Sequence, residues 1–239
     1  MTRLTTCPDA ESVAERAAAH IERTLAQARE ERGAAHVALS GGTTPGRTYE
    51  LLGASGAALD GVEIWFADER CVSPDDEESN YRLARETLLE PAGIAPARVH
   101  RMPGEMGPAE GAESYELEML ATLGEEPSPP VLDLVVLGIG PDGHIASLFP
   151  GARTLDAGGQ AICHGVSDSP KPPPQRITLS LAVLHAARGC LLLATGASKA
   201  DAVDAMLGAP SRHVPASLLR RERLTVIVDD AAAPSRPGP

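Results

Sequence analysis

The stretch from Leu132 to Pro150, LDLVVLGIGPDGHIASLFP, constrains the chain more than any other. Leu132, Leu134, Val135, Val136, Leu137 and Ile139 make a near-continuous apolar run. A half-exposed strand would alternate, so this run predicts a parallel strand covered on both faces in the middle of a sheet. Gly138, Gly140 and Gly143 follow in a turn where positive φ is cheap and a ligand can approach the backbone. Asp142 and His144 thereby arrive at the strand's carboxyl end, where open α/β sheets place their ligand crevice. Ile145 to Phe149 reads as the start of a helix. The spacing G-x-G-P-D-G-H is not read as the dinucleotide fingerprint, on the reading that the third glycine of G-x-G-x-x-G and a helix directly after it are not in place, and neither a nicotinamide nor a flavin is expected.

The rest of the chain supplies partners for that strand. Asp9 to Arg32 reads as an amphipathic helix, with Asp9 as N-cap, Gly33 as the C-terminal stop and His20 on its surface. Buried strands are expected at Ala34–Leu39, Val62–Phe66, Ala161–Val166, Cys190–Thr195 and Leu224–Val228, with a short extended piece at Val99–Pro103. Helices are expected at Tyr81–Leu89, stopped by Pro91, and at Pro108–Leu123, with Glu125 to Pro130 as linker. Strands alternating with helices predict a doubly wound, mainly parallel sheet of Rossmann-like type with helices on both faces. The 239 residues suffice for one such α/β domain over 1–239, its tail from Ala231 to Pro239 loose.

Composition narrows the function. No apolar run approaches membrane-spanning length and MTRLTTCPDAE does not read as a signal peptide, so a soluble cytoplasmic protein is expected. Cys7, Cys71, Cys163 and Cys190 stand far apart, which indicates reduced thiols and no structural zinc or other metal. A net charge of -12 argues against nucleic acid as a partner, since affinity for phosphate backbones comes from clustered Lys and Arg. A small phosphorylated substrate needs only a local group of cations. Lys171 and Lys199, the chain's two lysines, both fall in motif-like segments.

Several strand ends carry such segments. Ser40-Gly41-Gly42-Thr43-Thr44-Pro45 joins a strand to a helix, with Thr44 as cap and Pro45 in the first helical position. Its amides and helix dipole suit an anion, although an ordinary tight turn reads the same way; without the Walker lysine no nucleoside triphosphate is expected. Asp68, Glu69 and Arg70 end another strand, either facing the crevice or pairing structurally as Asp68 with Arg70. Val72 to Asn80 reads as a solvated acidic loop that could form a rim of the crevice. Ser167 to Gln175 contains Pro172, Pro173 and Pro174, which stiffen it and hold Lys171 in place. Ser198 reads as an N-cap that puts Lys199 in the first helical turn, where a cation is disfavoured unless an anion is present to neutralise.

Together, SGGTTP, ADERCVSPDDEESNYRLA, VHRMPGE, LGIGPDGHIASLFPG, DSPKPPPQRITLSL and TGASKADA make the sequence resemble the 6-phosphogluconolactonases over nearly its whole length. The resemblance implies hydrolysis of 6-phosphogluconolactone to 6-phosphogluconate in the pentose phosphate pathway, without metal or organic cofactor. It implies His144 as general base, Asp142 as its orienting partner, and Ser40, Gly41, Gly42 and Thr43 with Lys171, Arg176 and Lys199 around the substrate and its phosphate. Arg70 with Asp68 would contact the sugar acid or the developing oxyanion. The related glucosamine-6-phosphate deaminases share a D-G-H motif but continue differently where this chain reads A-S-L-F-P. A non-catalytic sugar-phosphate effector domain is the other alternative; no helix-turn-helix segment precedes Asp9. A monomer with no membrane partner is expected.

Overall fold

The computed structural model describes residues 2–56, 59–124, 126, 128–155 and 161–234. In chain order it contains β1 (Arg3–Cys7), α1 (Ala10–Arg32), β2 (Ala35–Leu39), α2 (Thr43–Ala54), β3 (Val62–Phe66), β4 (Asp68–Arg70), α3 (Asn80–Ala84) and α4 (Pro108–Leu123). There follow β5 (Leu134–Gly138), β6 (Cys163–Val166), β7 (Arg176–Leu179), α5 (Leu181–Ala186), β8 (Cys190–Ala194), α6 (Ala200–Leu207) and β9 (Leu224–Asp229).

Six strands form one parallel sheet in the order β1-β9-β8-β5-β2-β3. The expected mainly parallel α/β sheet is therefore present, and β5 lies inside it between β2 and β8. Leu134, Val135, Val136 and Leu137 are all buried, which accounts for the missing alternation; each fully buried side chain of this kind contributes about 1.5 to 3 kcal/mol. From β2 the chain crosses to β3 on one side, and from β5 it crosses to β8 on the other. Adjacent strands whose connections leave in opposite directions open a crevice between their carboxyl ends.

Helix α1 forms as its pattern dictates. The Asp9 carboxylate accepts from Ser12 N at 2.8 Å, and Gly33, at φ 81°, returns its amide to Arg29 O. Val13, Ala17, Ile21 and Leu25 are buried against the sheet and α2. His20 is half-buried, not on the open helix surface.

Other expectations need correction. Strand β1 and helix α5 were not read from the sequence, and a second, antiparallel sheet of order β4-β7-β6 sits beside the main one. The strand expected at Ala161–Val166 belongs to that small sheet. Val99 makes only an isolated bridge to Ile64. Ile145 to Phe149 is a turn closed by a bridge between Ile145 and Leu148, not a helix. Helix α3 begins at Asn80 behind the Ser79 cap and widens into a π-turn over Arg85–Leu89. Of the tail, Ala232 is fully buried and its amide donates to Asp229 Oδ1 at 2.8 Å; residues 235–239 lie outside the described residues. So do positions 125 and 127 of the expected linker.

Among the described residues no helix is long and apolar enough to cross a membrane. All four cysteines are free thiols.

Candidate active site

A cleft of about 490 Å³ opens at the carboxyl ends of β2, β5 and β8, at the switch point of the sheet. The turn after β2 forms one wall, Gly138 to Ala146 another, and Thr195 and Lys199 a third, with Arg70 and Lys171 at the margin.

On the β5 side, His144 Nδ1 lies 2.5 Å from Asp142 Oδ1. Lys171 Nζ reaches the same oxygen at 3.3 Å from the proline-rich loop. The turn is pinned by Gly140 N donating to His144 O and Gly143 N to Gly140 O, both at 2.9 Å. Gly138, Gly140 and Gly143 do stand at the spacing G-x-G-x-x-G, but a closed turn follows where that fingerprint needs a helix. The imidazole occupies the space a Cβ on Gly140 would need, and its ring centroid lies 4.8 Å from that of Phe149. Ala146, at φ 47°, is the non-glycine residue with positive φ among the described residues, and it too faces the cleft.

Electrostatics set the protonation of this pair. Burial works against Asp142 ionisation, but the hydrogen bond and charge of His144 and the charge of Lys171 outweigh it, holding the carboxyl below its usual range. Burial lowers the His144 pKa despite the opposing Asp142, with Lys171 lowering it further. At neutral pH the carboxylate is therefore ionised and the imidazole neutral. An ionised carboxylate only accepts, so Nδ1 carries the proton and Nε2 is left with its lone pair.

The opposite wall offers donors to an anion. Helix α2 starts behind Gly42, at φ 112°, with no side chain capping its first amides. Thr44, expected as the cap, is instead the second helical residue and bonds Thr195 Oγ1 at 2.7 Å, which leaves Pro45 third. Gly41 fits because the Asn80 amide occupies the place a Cβ would need, 1.9 Å from Asn80 Oδ1. Ser40 is buried, its carbonyl taken by Tyr49 while its hydroxyl has no partner among the described residues. Lys199 closes a 3-10 turn capped by Gly196, not by Ser198, and forms no ion pair among the described residues. Burial, then the nearby Lys171 ammonium, lower its pKa.

The charged end of β3–β4 is organised by Glu69. Its buried carboxylate accepts from Arg70 N, Asn80 N and Tyr81 N at 2.7, 2.7 and 2.8 Å and from Ser79 Oγ at 3.0 Å. Burial still prevails and raises its pKa. This residue was noticed only as one of three charges in a row. Asp68 is also buried, accepting from Ser147 Oγ at 2.8 Å and Asn80 Nδ2 at 3.3 Å, and does not pair with Arg70. Arg70 faces the cleft with Nη1 bonded to Glu78 O and a buried Nε without a partner. The loop 72–80 is thus anchored at Ser79 and Asn80, and is held further at Glu78 by Arg70 and at Asp75 by Arg82 and Arg85.

One further expectation changes. Arg176 does not line the cleft; it is buried, and its Nε and Nη2 donate to the carbonyls of Pro173, Pro172 and Lys171. The Cys71 thiol is pushed up to about 11 by burial and by Glu69. Among the described residues no group of three His, Cys, Asp or Glu could hold a metal ion.

Comparison with known proteins gives a consistent result. The family of glucosamine-6-phosphate isomerases and 6-phosphogluconolactonase matches residues 8–228. A 6-phosphogluconolactonase of Streptomyces coelicolor is 38% identical over 245 residues, covering 96% of this chain and 92% of that one. The structure of 6-phosphogluconolactonase from Trypanosoma brucei superimposes with a TM-score of 0.86 at 28% identity, covering 97% of each chain. A monomeric glucosamine-6-phosphate deaminase superimposes at 0.80 with 25% identity, covering 97% of this chain and 98% of that one. By the extent of these matches, the chain belongs to the glucosamine-6-phosphate isomerase/6-phosphogluconolactonase family.

Proposed function

We propose that this chain hydrolyses 6-phosphogluconolactone to 6-phosphogluconate, as a step of the pentose phosphate pathway, with His144 as general base. The observation that carries the reading is the His144 imidazole at the cleft with Nδ1 2.5 Å from Asp142 Oδ1; burial and the Lys171 charge favour its neutral form. Nε2 takes a proton from water as its oxygen attacks the lactone carbonyl carbon. The carbonyl π pair moves onto oxygen, where the Arg70 guanidinium, which lines the cleft, offers a charge-assisted donor. Collapse re-forms the carbonyl and breaks the bond to the ring oxygen, which receives the proton from His144. The acid product then loses its own proton to solvent. Asp142 stays ionised throughout and offsets the transient imidazolium.

At the other end, the uncapped start of α2, the Ser40 hydroxyl and Lys199 suit the phosphate. The resemblance to a deaminase supports a second reading, amine release from glucosamine 6-phosphate on the same phosphate site.

Parallel assays separate the two. Lactone hydrolysis above the spontaneous rate, without ammonia release from glucosamine 6-phosphate, is the expected result. In His144→Ala, turnover per folded molecule should fall by about 10² to 10⁴ with product affinity retained. Near-normal turnover in that variant would end the assignment of His144 as base. Ammonia release with no lactone hydrolysis would establish the second reading.

A further inference from the structure

We infer that Lys171 is a positioning residue for the base, holding Asp142 against His144, and that Arg176 acts one step further out by fixing the backbone that carries Lys171. The inference rests on the reading of His144 as the base. It removes both residues from the direct phosphate contacts that the sequence suggested.

The geometry begins at one oxygen. Asp142 Oδ1 receives His144 Nδ1 at 2.5 Å and Lys171 Nζ at 3.3 Å, so the ammonium pulls on the atom that orients the ring. Lys171 can do so only if its loop is held. Pro172, Pro173 and Pro174 have no amide hydrogen to tie the loop to itself. Ser169 supplies part of the hold, its Oγ donating to Lys171 O at 2.9 Å and accepting from Lys171 N at 3.2 Å. Ser169 N donates to Pro174 O at 3.0 Å and Cys71 N to Gln175 O at 2.9 Å, and Arg176 holds the carbonyls between: Nε donates to Pro173 O at 3.0 Å, and Nη2 to Pro172 O at 2.9 Å and Lys171 O at 3.3 Å. A guanidinium is a planar fork with five donors, and a lysine ammonium could not reproduce that spread.

Arg176 also touches the far wall of the base. Its Cζ lies 5.8 Å from the Phe149 ring centroid, and that ring meets the His144 imidazole at 4.8 Å. One buried cation thus braces the loop bearing Lys171 and the aromatic face behind His144.

The charges facing His144 decide what Lys171 adds. Asp142 from its own turn and Asp68 from β4 favour the imidazolium, whereas Lys171 opposes it. Lys199, beyond β8, faces Lys171 and Asp142, and Arg176 stands behind Phe149. Lys171 therefore keeps the resting imidazole deprotonated to lower pH and makes the transient imidazolium a readier donor to the ring oxygen.

The test is the pH dependence of kcat/KM for the phosphorylated lactone, corrected for spontaneous hydrolysis, in Lys171→Met, Lys171→Arg and Arg176→Lys. In Lys171→Met the acid limb should move up by about half a pH unit or more, and Lys171→Arg should restore it. Arg176→Lys should move the limb the same way while KM changes less than about threefold. An unmoved limb in Lys171→Met with a raised KM would make Lys171 a substrate ligand and overturn the inference. A KM raised about tenfold in Arg176→Lys, with the limb unmoved, would place Arg176 on the phosphate and overturn its part. If Arg176→Lys fails to fold, the Lys171 pair alone decides, because that side chain is 38% exposed and its loss leaves the core intact. His144→Ala run in parallel tells which reading fails. Undiminished turnover there removes the base and this inference together; lost turnover with an unmoved limb in Lys171→Met removes this inference alone.

Discussion

Gly140 and His144 are in a contact that a side chain at position 140 would abolish: a Cβ there would lie 2.0 Å from His144 Nδ1 and 2.4 Å from Asp142 Oδ1. Gly140 is not one of the glycines with positive φ, so the requirement is for space, not for an unusual backbone. In Gly140→Ala the imidazole and carboxylate must move together. Turnover should fall by about 10²-fold, the effect of displacing a catalytic group by roughly 1 Å. Single-turnover kinetics beside a thermal melt would check it; a normal rate in the folded variant would show that the ring has another productive position.

Lys199→Met should raise KM for the phosphorylated lactone about tenfold or more, the loss of a charge-assisted contact of about 1.5 to 3 kcal/mol. Lys199 makes no ion pair among the described residues, so its removal leaves no carboxylate stranded and the melting temperature should hardly move. An unchanged KM would put the phosphate elsewhere.

Cys71→Ser should retain nearly all activity. Burial and Glu69 push the thiol up to about 11, so almost no thiolate exists at neutral pH. Resistance to a thiol alkylating reagent at pH 7 gives the same information without mutation.

His100 offers a pH prediction away from the cleft. Its ring stacks on Trp65 at 3.9 Å, with Nδ1 2.7 Å from Glu118 and Nε2 3.0 Å from Glu63. Burial works to lower its pKa, but the two carboxylates prevail and raise it above 6.5. The folded state then binds the proton more tightly than the unfolded state. Its contribution to stability is full below about 6.5 and is lost as pH rises through the folded value. Denaturant melts across that range should show the decline, and His100→Gln should flatten it. Trp65 is the chain's one tryptophan, and a stacked imidazolium quenches indole emission, so fluorescence should rise over the same interval.

The parts legible in the sequence were those governed by local chemistry. The apolar run at 134–137, the Asp9 cap and Gly33 stop each follow from neighbours a few residues away. Asp142 and His144 could be placed because a buried parallel strand delivers whatever follows it to the crevice. The small sheet was not legible, since Asp68 pairs with Thr178 and Cys163 with Leu179 by long-range register. The partners of Arg176 and Asp68 were not legible for a related reason. A buried guanidinium satisfied by carbonyls and a buried carboxylate satisfied by Ser147 look in sequence like ligands of something charged. Glu69 gave no sign of binding three amides, because main-chain donors carry no residue identity.

Strand β1 pairs only with β9, Arg3 opposite Thr225 and Cys7 opposite Asp229. During synthesis β1 must therefore wait for β9, which follows it late in the chain and must also fill the place between β1 and β8. Until then β8 keeps an open edge of Cys190, Leu191, Leu192 and Leu193, a row of apolar residues with unpaired amides that could recruit another nascent chain. The molecule is thus most exposed to aggregation in the interval before β9 arrives, the stage at which a holding chaperone would matter most.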